Sequence, residues 1–348
     1  MALHLDESLL RGVSRAIPRL PDALAERLFG RPPVSPEGDV LDPALYRLLA
    51  SAKRVGVSDA TTLPLEQARV GFEKSLRLTD GPPRRGLDVR EFTLTETPAP
   101  LRVRMYRPHL RVSPSPAVVF FHGGGFVLGS LDSHNDLCRI IADRARAVVL
   151  SVDYRLAPEH PFPTATLDAI AAFTALRDRA AEFDLDPGRM AVVGDSAGGN
   201  LAAVTANALR GEGGPCAQWL IYPATDFTRA MPSHAHFADA LILPKRSIDR
   251  FLHDYAPDPA THRAPAASPL FADDLRGVCP AIVQTAGFDP LRDEGDAYAR
   301  KLAEHGVPVT HRCERTLLHG FSHLGAVIPA AREALHWGVA QLRTRLHE

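Results

Sequence analysis

The sequence has no excess of charge of either sign: 40 lysines and arginines stand against 41 aspartates and glutamates in 348 residues. A net charge of -1 offers no basic stripe, so no nucleic-acid partner is expected. Cysteine is scarce. Cys138, Cys216, Cys279 and Cys313 lie far apart and fit no zinc spacing, so no metal is expected and each thiol is expected to be reduced in or near packed elements. No stretch approaches the ~20 apolar residues of a membrane span. The opening Met1-Ala2-Leu3-His4-Leu5-Asp6-Glu7 has no basic region leading into an apolar run, so no signal peptide and a cytoplasmic location are expected. There is no internal repeat and no low-complexity tract. Apolar residues are plentiful, at 45%, which is ample for one large core; one α/β domain with an insertion is expected rather than two independent domains. The 30 prolines cluster in loops, such as 31–33 and 158–163.

The most informative stretch is Val192-Val193-Gly194-Asp195-Ser196-Ala197-Gly198-Gly199-Asn200. It reads as a strand, a sharp turn carrying a serine, and a helix, and it matches the Gly-x-Ser-x-Gly nucleophile elbow. Such a turn brings neighbouring backbone very close, so the flanking positions need residues without a Cβ. It also aims a helix N-terminus at the reaction centre, where negative charge develops. A bland glycine-rich turn is the alternative for the five-residue pattern alone. The apolar run before it and the small-residue helix pattern after it argue for the elbow.

Upstream, the buried-strand pattern Ala117-Val118-Val119-Phe120-Phe121 runs into His122-Gly123-Gly124-Gly125-Phe126. A strand ending in His-Gly-Gly-Gly describes an oxyanion-hole loop, where backbone N–H groups must approach a substrate oxygen to about 3 Å unobstructed by side chains. The donors are expected to be Gly124, Gly125 and Ala197. His122 reads as a loop organiser rather than a base, and Asp195, beside the serine, as structural.

An acid and then a base should follow the serine. The run 281–291 reads as an apolar strand ending in a turn that carries Asp289, and a strand near 307–312 leads to His319-Gly320-Phe321. Residues at the carboxyl ends of successive strands can converge on one crevice. Among 15 histidines only His319 and His323 lie just past the last expected strand, and the glycine after His319 favours it. His134, His160, His234, His236, His253, His262 and His305 read as surface or packing residues. Asp293 rivals Asp289 but falls at an expected helix start, where acids serve as caps.

Helical patterns fill the chain from 9 to about 77, and strands alternate with helices from about 89 to 346, which implies a mostly parallel central sheet flanked by helices. The first strand pair, near 89–92 and 102–106, is expected to be antiparallel. Between 222 and 281 the alternation breaks, with a helix expected at 247–255 and loop at 265–269. The expected layout is an N-terminal helical region over 1–80 that contributes to a cap, a catalytic domain over 81–224 and 276–348, and a cap insertion over 225–275. Substrate-binding residues are expected at Phe126, Phe227, Leu241 and Ile242, with Phe237 and Leu243 as further candidates for the cap wall. The last helix, 331–346, could support a homodimer or simply finish the fold.

Together, His122-Gly123-Gly124-Gly125-Phe126, Asp153-Tyr154-Arg155-Leu156-Ala157-Pro158-Glu159, Gly194-Asp195-Ser196-Ala197-Gly198-Gly199 and Asp289-Pro290-Leu291-Arg292-Asp293-Glu294-Gly295 with His319-Gly320-Phe321 resemble the bacterial hormone-sensitive-lipase-like esterases, family IV of the carboxylesterases in the α/β-hydrolase superfamily. The resemblance spans roughly 40–345; the N-terminus is about 35 residues longer than the minimal member. It implies the α/β-hydrolase fold with a helical cap, a triad of Ser196, Asp289 and His319, oxyanion donors at Gly124, Gly125 and Ala197, no cofactor, and short- to medium-chain esters as small-molecule substrates. The Asp-Tyr-Arg-Leu-Ala-Pro segment is a scaffold element in that family, and Asp153 and Arg155 are expected to pair and fix their loop. An amidase or small-molecule deacetylase with the same triad is one alternative. A non-catalytic ligand receptor on this fold is the other, disfavoured because His319 is present.

Overall fold

A computed structural model describes residues 7–54, 60–82 and 84–348. An eight-stranded sheet forms its centre, with spatial order β1-β2-β4-β3-β5-β6-β7-β8. The strands are β1 (Leu87–Leu94), β2 (Leu101–Pro108), β3 (Ser115–Phe121), β4 (Val148–Asp153), β5 (Leu185–Asp195), β6 (Ala217–Ile221), β7 (Ala281–Phe288) and β8 (Val309–Leu318). The β1–β2 and β2–β4 pairs are antiparallel, and every other neighbouring pair is parallel. β3, β6 and β7 are buried along their whole length, which is why they read as unbroken apolar runs.

Helices cover both faces. In chain order they are α1 (Glu7–Ala16), α2 (Asp22–Phe29), α3 (Pro43–Arg54), α4 (Leu65–Arg77), α5 (Asn135–Ala145), α6 (Thr164–Asp178), α7 (Ala197–Ala208), α8 (Pro232–His236), α9 (Lys245–Tyr255), α10 (Arg292–Glu304) and α11 (Pro329–His347). Alternation along β3 divides the core into two layers. Val119 and Phe121 pack with residues of α6, α7 and α10, whereas Val118 and Phe120 pack with residues of α3, α5 and α11. No helix among the described residues is long and apolar enough to cross a membrane.

The segment ahead of β1 is tied to the body by charge. Glu37 pairs with Arg292 at 2.9 Å and Asp39 with Arg315 at 2.9 Å. From α4, Arg69 donates to the carbonyls of Val127 and Ala157, each at 3.0 Å, and pairs with Glu159 at 2.7 Å. Glu73 accepts from Ser130 Oγ at 2.7 Å. α4 therefore braces the loop that follows the glycine cluster.

The sequence-based pairing of Asp153 with Arg155 is corrected. Asp153 pairs with Arg102 at 2.7 Å, its cross-strand neighbour in the β2–β4 register. Arg155 pairs with buried Asp168 of α6 at 2.6 Å. In extended chain, residues two apart are less available to each other than a residue directly across the ladder.

Candidate active site

β5 ends at Asp195 and α7 begins at Ala197, so Ser196 occupies the whole turn. Its backbone adopts φ 56° and ψ -118°, a conformation that side-chain-bearing residues rarely hold. The flanking glycines are forced by contact. A Cβ on Gly194 would lie 2.8 Å from Gly199 N. One on Gly198 would lie 2.6 Å from the Phe121 carbonyl carbon and 2.8 Å from that of His122. Real Cβ atoms essentially never come under 3.0 Å. The elbow is thus locked against the end of β3, where the glycine loop starts.

Asp289 immediately follows β7, and His319 immediately follows β8. The parallel sheet therefore brings Ser196, Asp289 and His319 to the carboxyl ends of β5, β7 and β8. They form one hydrogen-bonded chain: His319 Nε2 lies 2.9 Å from Ser196 Oγ, and His319 Nδ1 lies 2.7 Å from Asp289 Oδ2. Asp289 is fully buried, and its other oxygen accepts from Leu291 N at 2.9 Å. With the carboxylate held twice, Nδ1 carries the proton, and Nε2 is left as the acceptor facing the serine. The rival Asp293 lies in the first turn of α10 and accepts from Ser233 N at 2.8 Å.

Gly124 and Gly125 have positive φ values of 120° and 63°. A Cβ on Gly124 would meet the Leu128 carbonyl carbon at 2.6 Å, and one on Gly125 the Phe251 ring at 2.6 Å. Both positions are closed to side chains. Gly125 and Ala197 line a cavity together with Ser196.

Asp195 does not take part in the chain of three. Its Oδ1 accepts from Gly123 N at 2.9 Å and lies 3.1 Å from His134 Nε2, while Tyr222 Oη and His323 Nε2 approach Oδ2 at 3.4 and 3.5 Å. Burial by itself would raise this carboxyl, but His134 and His323 hold it well below the usual carboxylate range. Burial draws His134 down to about 4; its Nε2 lies 3.1 Å from Asp195 Oδ1 and 3.2 Å from Gly123 N, while Ser133 Oγ lies 2.7 Å from its Nδ1. Asp195 thus fastens the glycine loop to the serine elbow. His122 also stays out of the chemistry: its ring stacks on Tyr154 at 4.3 Å, and Tyr154 Oη donates to its carbonyl at 2.7 Å. We expect Asp195→Ala to cut kcat about 10- to 100-fold, by analogy with the loss of other buried charge-assisted hydrogen bonds, while KM changes less than threefold. Steady-state kinetics on a p-nitrophenyl ester check this, and an unchanged kcat would contradict it.

The cavity over Ser196 holds about 500 Å³ of space free of protein atoms, its open mouth included. Phe126 and Phe227 line it as expected from the sequence. Leu241 and Ile242 do not; they stand 38% and 39% exposed. Phe237 lies elsewhere, packed on Phe288 and under Arg292. Leu243, also a sequence candidate, does line it, and the rest of the wall is made by Ile248, Phe251 and Leu252 of α9. The chain around 241–243 follows a series of bends, so no regular period decides which side chain faces inward. The α9 residues were open to detection through their i, i+3, i+4 spacing, which marks one helix face. Sequence reasoning also passed over two buried histidines, His134 beside Asp195 and His234, which pairs with Glu294 at 2.7 Å. A single histidine carries no period or spacing that would reveal such a partner.

The family model of the α/β-hydrolase fold matches residues 118–323. Carboxylic ester hydrolase LipN of Mycobacterium tuberculosis is 41% identical over 322 residues, covering 89% of this chain and 84% of that protein. Carboxylesterase NlhH of the same organism is 45% identical over 259 residues, covering 73% of this chain and 80% of its own. The solved ester hydrolase EH1AB1 from the Lake Arreo metagenome superposes with a TM-score of 0.81 at 40% identity, covering 85% of this chain and 95% of that one. On this fold, these motifs and these relatives, the chain belongs to the hormone-sensitive-lipase-like esterases of the α/β-hydrolase superfamily.

Proposed function

We propose that the chain is a serine carboxylesterase in which Ser196 is the nucleophile, His319 the general base and acid, and Asp289 the group that orients and stabilises the imidazolium. The observation that carries these roles is the unbroken Asp289–His319–Ser196 hydrogen-bond chain, which ends on a serine that lines a largely apolar cavity. Ser196 Oγ attacks the ester carbonyl carbon as its proton passes to His319 Nε2. The carbonyl oxygen becomes an oxyanion, which the N–H groups of Gly124, Gly125 and Ala197 receive. Each such donor is worth roughly 3 kcal/mol in the transition state. Collapse of the intermediate expels the alkoxide, which takes the proton from His319 and leaves an acyl-Ser196. Water then attacks the acyl carbon, gives its proton to His319, and the acid departs as Ser196 regains its proton.

The insertion over 225–275, with the described part of the N-terminal helical region, acts as the cap that sizes the substrate. Three features support this: α9 supplies much of the cavity wall, Thr61 Oγ1 lies 3.1 Å from Ser247 Oγ at the start of α9, and Phe251 also borders a second space of about 210 Å³ lined by Leu63, Leu65 and Ala68. A p-nitrophenyl ester series of increasing acyl length tests both ideas. Activity peaking at short to medium chains supports the reading, and activity on amides alone would turn it toward an amidase. Phe251→Ala removes the partition between the two spaces, so the optimum should move by two or more carbons toward longer chains. An unmoved optimum would assign Phe251 to packing.

A further inference from the structure

Three strands end at the triad's level, but only two of them deliver the acid and the nucleophile. β6 lies between β5 and β7 in the sheet, and the residue directly after it is Tyr222. Its backbone is bent to φ 37°, a left-handed conformation that is rare and costly for a side chain of this size. The bend is fastened on both sides. Ile221 O accepts from Ser196 N at 2.8 Å, and Tyr222 N donates to Gln284 O of β7 at 2.6 Å. The side chain is buried, and its ring centroid lies 4.6 Å from that of His319 and 5.0 Å from that of Phe321. The hydroxyl shares a hydrogen bond with Ser322 Oγ and reaches Asp195 Oδ2 at 3.4 Å. One side chain thus touches His319, Phe321 and Ser322 of the base-bearing loop and Asp195 of the serine elbow.

The Asp289 hydrogen bond fixes only one end of the imidazole. A ring held at its Cβ and at Nδ1 can still swing about the line joining those two atoms, and Nε2 swings with it. A hydrogen bond weakens steeply once its angle opens, so such a swing would uncouple Nε2 from Ser196 Oγ. A rigid ring in contact with the imidazole, itself anchored at both ends, stops that motion. We propose that Tyr222 is a positioning residue for the proton transfer: its ring sets the plane of the His319 imidazole, and its backbone and hydroxyl anchor that ring between the elbow and the loop. The proposal rests on the esterase reading above and deepens it.

The test compares Tyr222→Phe, which keeps the ring, with Tyr222→Leu, which keeps apolar bulk without the plane. Each variant is titrated to completion with an alkyl fluorophosphonate, so that kcat on p-nitrophenyl butyrate is counted per reactive site. A role in folding alone would lower the melting temperature and the number of reactive sites and leave kcat per site unchanged. The proposal expects kcat per site to fall about 10- to 100-fold in Tyr222→Leu, the cost of a misplacement of up to about 1 Å, with KM within threefold. It expects Tyr222→Phe to stay within about threefold of the wild type. It further expects the leucine variant to lose about 10-fold more in kcat/KM on ethyl butyrate than on p-nitrophenyl butyrate. The departing ethoxide takes its proton from His319, whereas p-nitrophenoxide leaves without one. A leucine variant with the wild-type kcat per site, equal losses on the two esters, or a phenylalanine variant as slow as the leucine one would each overturn the proposal and leave the esterase reading intact. If Tyr222→Leu does not fold, Tyr222→Met takes its place under the same expectations. A wild-type enzyme that hydrolyses neither ester would instead strike the esterase reading, and this proposal with it.

Discussion

Replacing Ser196 by alanine is expected to lower kcat on a p-nitrophenyl ester roughly a million-fold, the loss seen when a triad serine is removed. The residual rate comes from the oxyanion donors and from binding, which the substitution leaves in place. The protein should stay folded, because alanine meets the same backbone conformation that serine already holds. That conformation is itself costly. A non-glycine residue at φ 56° and ψ -118° stores about 1–3 kcal/mol. Ser196→Gly should therefore be equally inactive yet more stable than Ser196→Ala by about 1–2 kcal/mol, read as a higher unfolding temperature. Equal stability of the two variants would remove the strain from this account.

Gly198→Ala should be as damaging by a different route. The added methyl would enter the end of β3, 2.6 Å from the Phe121 carbonyl carbon and closer still to its oxygen. Neither side can give way freely. Phe121 is fully buried in the parallel ladder, paired with Val152 and Gly194, and α7 is buried from Ala197 to Ala206. We expect a loss of about 4 kcal/mol or more in stability, the range that marks overpacking against fixed backbone. Any protein that does fold must part the elbow from His122 and Gly123, which opens the distance between the serine and the glycine loop. Its kcat should fall about 1000-fold or more, since oxyanion donors act only at about 3 Å. Thermal unfolding and kinetics on the purified variant check both parts, and a variant with wild-type melting and rate would contradict the packing described.

The motifs around Ser196, Gly123–125, Asp289 and His319 were legible in the sequence because backbone geometry restricts them. Gly194, Gly198, Gly124 and Gly125 stand where any side chain would collide, and Asp289 and His319 stand directly after strands, β7 an unbroken apolar run. The mostly parallel sheet and its antiparallel first pair were readable from the same alternation of elements. What the sequence hid depends on contacts made across the chain. Asp153 finds Arg102 through sheet register, and Arg155 finds Asp168 through the packing of α6 on the loop after β4. Leu243 turns into the cavity while Leu241 and Ile242 turn out, a choice made by local bends. His134 and His234 look like any other histidine in sequence, yet one joins the network that fixes the glycine loop and the other pairs with Glu294 on the cavity wall.

The central claim is that Ser196, activated by His319, is the nucleophile. Treatment with an alkyl fluorophosphonate followed by peptide mass mapping tests it most directly, because the reagent bonds only to an activated hydroxyl. The account predicts a single adduct on Ser196, formed at least about 1000-fold more slowly in His319→Ala. An adduct on any other residue, or a Ser196→Ala variant that still hydrolyses esters at the wild-type rate, would contradict it.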